Sequence, residues 1–172
     1  MTTQATIRQI THDDAPAYRQ LRLQALQKNP QAFLATFKTE ELRPDDHFVY
    51  ELSAAIQPPI WGYYGLFVEN KLIGFCQIGK SYLDKKQHLA YLYNLYVDPD
   101  YRGQGHAKKL TNYVLNKLKE LKIERVFITY LAKNKCVRGF YDHLGFEECG
   151  IKPEAVKDGD EYDDEIEMTL KL

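Results

Sequence analysis

The sequence contains no apolar run near the roughly 20 residues that carry a helix across a bilayer, so a membrane-spanning helix is not expected. It also lacks an excess of either charge. With 23 basic and 24 acidic side chains, the formal net charge is −1. A nucleic-acid binder shows a clustered basic excess, so nucleic acid is not the expected partner. Cysteine is scarce: Cys76, Cys136 and Cys149 are an odd set without metal-ligand spacing, and two of them fall in segments expected to pack. They read as reduced thiols of a cytoplasmic protein with no metal site. The opening residues, Met1 to Arg8, have neither the basic nor the apolar region of a secretory signal. Repeats, low-complexity tracts and linker-like stretches are absent as well, so residues 1–172 read as one domain.

What is present is a globular composition, 44% apolar and 27% charged, at a length that can bury a real core. Ala5 to Gln9 alternates in polarity and reads as a strand. Thr11, Asp13 and Asp14 offer capping oxygens and negative charge to a helix running to about Lys28. Tyr18, Leu21, Ala25 and Leu26 form its buried face, and Asn29-Pro30 stops it. A second helix is expected from about Pro44 to Ile56. Residues 60–69 and 71–80 read as an antiparallel hairpin turning at Asn70. Leu89 to Val97 is apolar at almost every position, the pattern of a strand covered on both faces. The next helix carries Ala107, Leu110, Val114, Leu118 and Leu121 at spacings of three and four, and a strand follows at Val126 to Leu131. This strand–helix–strand unit implies a right-handed crossover. A short helix from about Cys136 to Leu144 is closed by Gly145. Phe146 to Cys149 and Ile166 to Leu172 form a closing strand pair joined by an acidic loop. The expected class is mixed α/β.

Between the strand and the long helix lies Arg102-Gly103-Gln104-Gly105-His106-Ala107. Glycines at such a junction leave backbone N–H groups uncovered, at the partly positive end of the helix macrodipole. That combination suits the phosphates of a nucleotide-like molecule. A Walker loop is excluded, because the Gly-Lys-Ser/Thr that must follow four residues after a glycine is missing. A dinucleotide fingerprint needs Gly or Ala three residues after its second glycine, where Lys108 stands. The remaining design, Arg/Gln-x-x-Gly-x-Gly/Ala, is met at every fixed position.

With that pattern the chain resembles the GNAT superfamily of N-acetyltransferases. Leu95 to Tyr101 is similar to the strand and turn before the family's pyrophosphate loop. Asn134, Val137, Phe140-Tyr141 and Gly145-Phe146 are similar to its second motif, and Leu21 through Phe33 to the first helix of many bacterial members. The resemblance implies the acyl-CoA N-acyltransferase fold, a central mixed and mostly antiparallel sheet flanked by helices. It implies acetyl-CoA as co-substrate, with no metal. Backbone N–H groups from Gly103 through Gln104, Gly105 and His106 to Ala107, beside Arg102, would hold the pyrophosphate. The pantetheine arm would pair with the strand near Leu95 and Val97, inside a gap where the sheet splays apart. An amide near Leu95 would polarise the thioester carbonyl, Asn134 would bond the arm, and Tyr141 would protonate the departing thiolate. Read without the resemblance, Tyr141 is a core aromatic on an amphipathic helix. Many relatives place a basic Glu on the strand before the loop, but Tyr91-Leu92-Tyr93-Asn94 holds no carboxylate. His88, ordered water and an already neutral amine all stay open as routes for the proton.

The implied reaction is direct transfer of acetyl to a primary amine, of a small molecule or a peptide, in a ternary complex. Glu154, Asp158, Asp160, Glu161, Asp163, Asp164, Glu165 and Glu167 make the C-terminal segment acidic. That charge either attracts a cationic acceptor or only keeps a hairpin soluble. Tyr18, Phe33, Phe37, Trp61, Tyr63 and Tyr64 either wall the acceptor pocket or belong to the core. A non-catalytic acyl-CoA sensor would keep the glycine loop without needing a Tyr141 acid. A nucleotide-dependent oxidoreductase would need the missing third glycine. A homodimer through sheet edges, as in many relatives, is also left open.

Overall fold

The computed structural model describes residues 5–54 and 61–172. Its strands are β1 (Ala5–Gln9), β2 (Trp61–Val68), β3 (Lys71–Lys80), β4 (Leu89–Val97), β5 (Arg125–Leu131), β6 (Glu147–Asp158) and β7 (Glu161–Lys171). The α-helices are α1 (Ala15–Lys28), α2 (Phe37–Glu40), α3 (Asp45–Ala54), α4 (His106–Glu120) and α5 (Lys135–His143). The strands form one sheet in the order β1-β2-β3-β4-β5-β7-β6. Neighbours run antiparallel except β4 and β5, which are parallel and joined through α4. Among the described residues, no helix is long and apolar enough to cross a membrane.

Local chemistry sets most of these boundaries. Thr11 and Asp14 form a capping box ahead of α1, with the Asp14 carboxylate accepting from the Thr11 amide at 2.9 Å. Glu69 and Asn70 both take positive φ, and this turn pairs β2 tightly with β3. The amphipathic stripe of α4 buries Leu110, Val114 and Leu118, together with His106, Thr111 and Leu115. Ala107 and Leu121, placed on that stripe by spacing alone, are only half-buried. Gly145, at φ 88°, closes α5 as its C-terminal cap.

The core lies in two layers. On one face, α4 and α5 cover Leu66, Ile73, Leu92, Val126, Ile128 and Met168. On the other, α1 and α3 bring Tyr18, Leu26, Phe48 and Leu52 against Tyr63, Phe75 and Tyr96. The second layer stops short of β5 and β7. Hence β4 is not covered on both faces as its composition suggested: Ala90 and Leu92 are buried, whereas Tyr93 is 36% exposed. The acidic segment is not a loop either. It is taken up by two long strands, β6 and β7, which turn at Gly159-Asp160, with Glu161, Asp163, Glu165 and Glu167 on one face of β7 and Asp164 on the other. Of the cysteines, only Cys76 is buried. Cys136 and Cys149 sit on exposed faces of α5 and β6. The second helix spans Asp45–Ala54, and the rest of its expected range lies outside the described residues.

Gly74 marks a close approach of strands. A Cβ there would lie 2.9 Å from the Tyr96 carbonyl oxygen, which is backbone and has nowhere to go. Gly139, within α5, has nothing within 4 Å of its missing Cβ. Gly74→Ala should therefore destabilise the fold by about 1–3 kcal/mol through overpacking, and Gly139→Ala should stabilise it by about 0.5–1 kcal/mol. Denaturant unfolding of the two variants checks both signs.

Candidate active site

The sheet opens between β4 and β5. Only Leu89, Ala90 and Tyr91 pair with Arg125, Val126 and Phe127, after which the two strands diverge. On its other side β4 stays bonded to β3, but Gln77 faces Tyr93 while Phe75 faces Tyr96, so two β4 residues oppose the single Cys76. This is a β-bulge, and within it Asn94 takes the left-handed conformation at φ 53°. The bulge bends β4 away from β5, whose pairing with β7 continues through Leu131. It also resets the alternation, so that Tyr96 joins the α1 side of the core. The resulting cleft of about 440 Å³ is lined by Tyr93, Asn94, Leu95, Val97, Thr129, Tyr130, Asn134 and Tyr141, among others. Nothing in the sequence pattern pointed to the bulge. The only available signal was Asn94, a residue tolerant of positive φ in an otherwise β-favouring run.

At the mouth of the cleft, Gly103 (φ 77°) and Gly105 (φ 74°) both adopt the left-handed region, with no atom within 4 Å of a built Cβ. Backbone conformation, not space, demands glycine here. The first amide of α4 with a backbone acceptor is that of Lys109, which donates to the Gly105 carbonyl at 3.0 Å. No turn, cap or side-chain bond engages the N–H groups of Gly103, Gln104, Gly105, His106, Ala107 or Lys108. Six unshared amides at a helix start are an arrangement able to accept an anion. The His106 side chain is buried with Nδ1 unpartnered, so its main chain is what joins this arrangement. Arg102 lines the cleft, yet its guanidinium already donates to the Val97 carbonyl (2.9 Å) and to Asn29 Oδ1 (2.9 Å). It braces the end of α1 against the end of β4.

Deeper in, α5 supplies the remaining groups. Asn134 stands at its N-cap without making a side-chain cap bond, which leaves its amide free toward the cleft. Tyr141 is 6% exposed, packed edge-on against Phe140 and Phe146. Tyr141 lines the cleft, and its hydroxyl takes part in none of the hydrogen bonds among the described residues. Burial pushes the phenol pKa well above its ordinary value, with the Cys76 sulfur adding to the rise. The group therefore stays protonated through the neutral range, the state a proton donor requires.

Above the bulge, Arg22 of α1 is clamped by the Glu40 carboxylate through two bonds of 3.0 and 2.9 Å, with both side chains more than nine-tenths buried. Its third donor reaches Asn94 Oδ1 at 3.3 Å, and Asn94 Nδ2 donates to Gln77 Oε1 at 2.8 Å. The guanidinium lies 4.8 Å over the Phe33 ring. Several sequence candidates fall elsewhere. His88 is exposed at the joined end of β4 and β5, where its carbonyl accepts from Glu124 and Arg125. Some seven residues of extended strand, about 20 Å, separate it from Leu95, so it cannot serve as the base. Tyr18, Phe33, Tyr63 and Tyr64 are buried core residues and Phe37 packs at the core's edge. The Trp61 side chain lies outside the described residues.

On the face that α1 leaves open, Tyr91 and Tyr93 stack with centroids 5.9 Å apart, and Phe127 sits 5.8 Å from Tyr91. Glu167, opposite Thr129 in the β5–β7 register, shares that face. Burial pushes Tyr93 up to about 12, and the Tyr91 and Glu167 charges add to this. Of the acidic segment, Glu161 pairs with Lys133 (2.9 Å) and Glu165 with Lys152 (2.7 Å). Among the described residues, Glu167 has no cation within 4 Å.

Comparison with known proteins agrees with this geometry. Residues 16–146 match the family described as the Acetyltransferase (GNAT) family. Among curated proteins, the [ribosomal protein bS18]-alanine N-acetyltransferase of Escherichia coli strain K12 is 30% identical over 83 residues, 48% of this chain and 56% of that one. A probable spermine N(1)-acetyltransferase of Bacillus subtilis subsp. natto is 29% identical over 87 residues, 48% and 57% of the two chains. The chain thus spans about half the length of the curated relatives it matches. Among solved structures, a ribosomal-protein-alanine N-acetyltransferase from Brucella melitensis superposes with TM-score 0.84 at 21% identity, over 97% of this chain and 99% of that one. A putative acetyltransferase from Salmonella typhimurium, solved with its cofactor acetyl-CoA, gives TM-score 0.82 at 17% identity, over 98% and 94%. At these identities the structural likeness concerns the fold alone. Gly105→Ala, which forces a Cβ into the left-handed region at about 1–2 kcal/mol, should weaken coenzyme A binding about tenfold. Titration calorimetry measures this directly.

Proposed function

This chain belongs to the acetyltransferase (GNAT) family, and from that premise we propose that it transfers acetyl from acetyl-CoA to a cationic primary amine. The observation that carries the reading is the split between β4 and β5, with unshared amides of the glycine loop at its mouth and the unpartnered Tyr141 hydroxyl inside it. The family fold fits acetyl-CoA, and the residues present fit it too. Amides 103–108 suit the diphosphate, and the unpaired edge of β4 around Leu95 and the Asn134 side chain suit the amide-bearing arm. The Val97 carbonyl accepts one bond from Arg102, and its second lone pair stays open to that arm.

Acetyl-CoA supplies an activated acyl group, so the protein's work is orientation and proton handling. The amine nitrogen bonds to the acyl carbon as the carbon–sulfur bond breaks. The nitrogen gives up a proton, and the departing sulfur takes one from Tyr141. The Leu95 amide, next to the bulge, stabilises negative charge on the acyl oxygen, a contribution of about 3 kcal/mol per donor. Tyr141 enters the cleft from the α5 side and Tyr93 and Thr129 from the other, so acyl donor and acceptor meet through the sheet rather than on one surface. Support for a cationic acceptor comes from the open aromatic face of Tyr91, Tyr93 and Phe127, together with Glu167, a half-buried carboxylate without an ion-pair partner. Stacked rings and one carboxylate attract an ammonium group, and Glu167 is the group best sited to receive its proton directly or through water.

Free-thiol release from acetyl-CoA across a panel of amines tests the reading, with polyamines and N-terminal peptides expected to be turned over. No turnover with any amine, despite coenzyme A binding, would instead mark a sensor. Tyr141→Phe should lower kcat by about 10²-fold or more while sparing acetyl-CoA affinity. Because the phenol is held protonated, kcat/KM for a lysine-like amine should climb with pH toward the amine's own pKa of about 10.4. A falling limb from Tyr141 is expected only beyond that. Glu167→Gln should raise KM for a polyamine about tenfold and leave KM for acetyl-CoA in place. An unchanged polyamine KM would remove Glu167 from the acceptor site.

A further inference from the structure

We propose that Arg22 is a positioning residue for acyl transfer, acting through Asn94 to hold the β4 bulge in the geometry that presents the Leu95 amide to the cleft. This rests on the acetyltransferase reading for its consequence in catalysis, though not for its structural content. Asn94 is the left-handed residue of the bulge, and Leu95 follows it directly. A residue in that conformation next to an unpaired strand edge is free to relax unless something holds it. Both ends of the Asn94 side-chain amide are held: Oδ1 accepts from Arg22 at 3.3 Å, and Nδ2 donates to Gln77 Oε1 at 2.8 Å.

Arg22 suits this task because it is itself immobile. Glu40 grips its Nε and the far nitrogen at 3.0 and 2.9 Å, and Phe33 lies beneath its plane. The remaining nitrogen is thereby aimed at Asn94 by a rigid planar fork. Arg22, Glu40 and Phe33 stand behind the cleft and are not among the residues that line it. The chain Glu40–Arg22–Asn94–Gln77 joins α2, α1, β4 and β3 at the single place where β4 leaves β5. A lysine at position 22 could neutralise Glu40, yet as a point charge it cannot hold Glu40 and Asn94 together.

The test compares Arg22→Lys, Asn94→Gly and Asn94→Asp. Glycine accepts the left-handed conformation but has no side chain to be held, whereas aspartate offers Arg22 the same oxygen and, once the Gln77 amide turns over, accepts from its nitrogen in place of the bond Asn94 donates. Arg22→Lys and Asn94→Gly should each lower kcat about tenfold or more, since displacements near 1 Å cost up to about a hundredfold. KM for acetyl-CoA should change less than twofold, and Asn94→Asp should stay near wild type. The double variant R22K/N94G should be no worse than either single one, because both break the same link. Amide hydrogen exchange of the β3–β4 pairs that flank the bulge, Gln77–Tyr93 and Phe75–Tyr96, should quicken about tenfold in the ligand-free R22K and N94G proteins but not in N94D. Multiplying kcat losses in the double variant, equal loss in N94D, or loss appearing only in acetyl-CoA affinity would overturn the proposal. Unchanged exchange at those flanking pairs would overturn it whatever the activity. Wild-type protein that turns over no amine would refute the acetyltransferase reading separately, and the exchange comparison would still decide the clamp. If R22K does not fold, the contrast of N94G with N94D decides it.

Discussion

Two strands that should pair along their length do so for only three residues each, and the site is built on that interruption. Parallel strands gain a hydrogen bond at nearly every step, so abandoning the pairing after Tyr91 and Phe127 leaves a row of N–H and C=O groups without partners. Leaving such groups both buried and unpaired would cost about 1–3 kcal/mol each. The cleft keeps them accessible, ready for water or for a ligand whose own amides run in register. The protein accepts the loss because the rest of the sheet is continuous: β3 holds β4 from one side, and β7 holds β5 through Leu131 from the other.

What forces the separation is a local chirality problem. Asn94 sits at φ 53° inside a strand, and the two-against-one count it creates turns β4 out of the plane that β5 keeps. The same insertion resets the alternation after Leu95, which puts Tyr96 on the α1 side, and Gly74 lies close to the Tyr96 carbonyl just beyond it. At the far end, Gly103 and Gly105 solve a related problem with the same conformation, turning the chain into α4 while leaving six amides unshared. Left-handed residues thus define both ends of the cleft, one supplied by asparagine and the other by glycines.

Much of this was legible beforehand. The periodicity of α4, the β2–β3 turn and the Gly145 cap all appear where local rules put them, because each depends on neighbours within a turn or two. The glycine loop was legible for the same reason, being a contiguous motif at a strand–helix junction. Composition misled where burial is decided at long range. Leu89 to Val97 looks doubly covered, yet α1 and α3 stop short of it and leave Tyr91 and Tyr93 on an open face. The acidic segment looks like a loop because charged alternation weakens a strand signal, but an exposed two-stranded ribbon satisfies its backbone just as well. His88 looked available as a base, and it lies at the joined end of the strands instead.

Sequence alone determined the element order, the helix ends and the glycine loop with its resemblance to acetyltransferases, since these rest on short-range sterics, capping and contiguous pattern. Tertiary structure decided the rest. It opened β4 from β5, brought Arg22, Glu40, Asn94 and Gln77 together across 72 positions of chain, and left Glu167 beside Tyr93 on an uncovered face. Those outcomes depend on strand register and on how far the helical layer reaches. Neither is encoded in any one segment; both emerge only when all the segments compete for the same space.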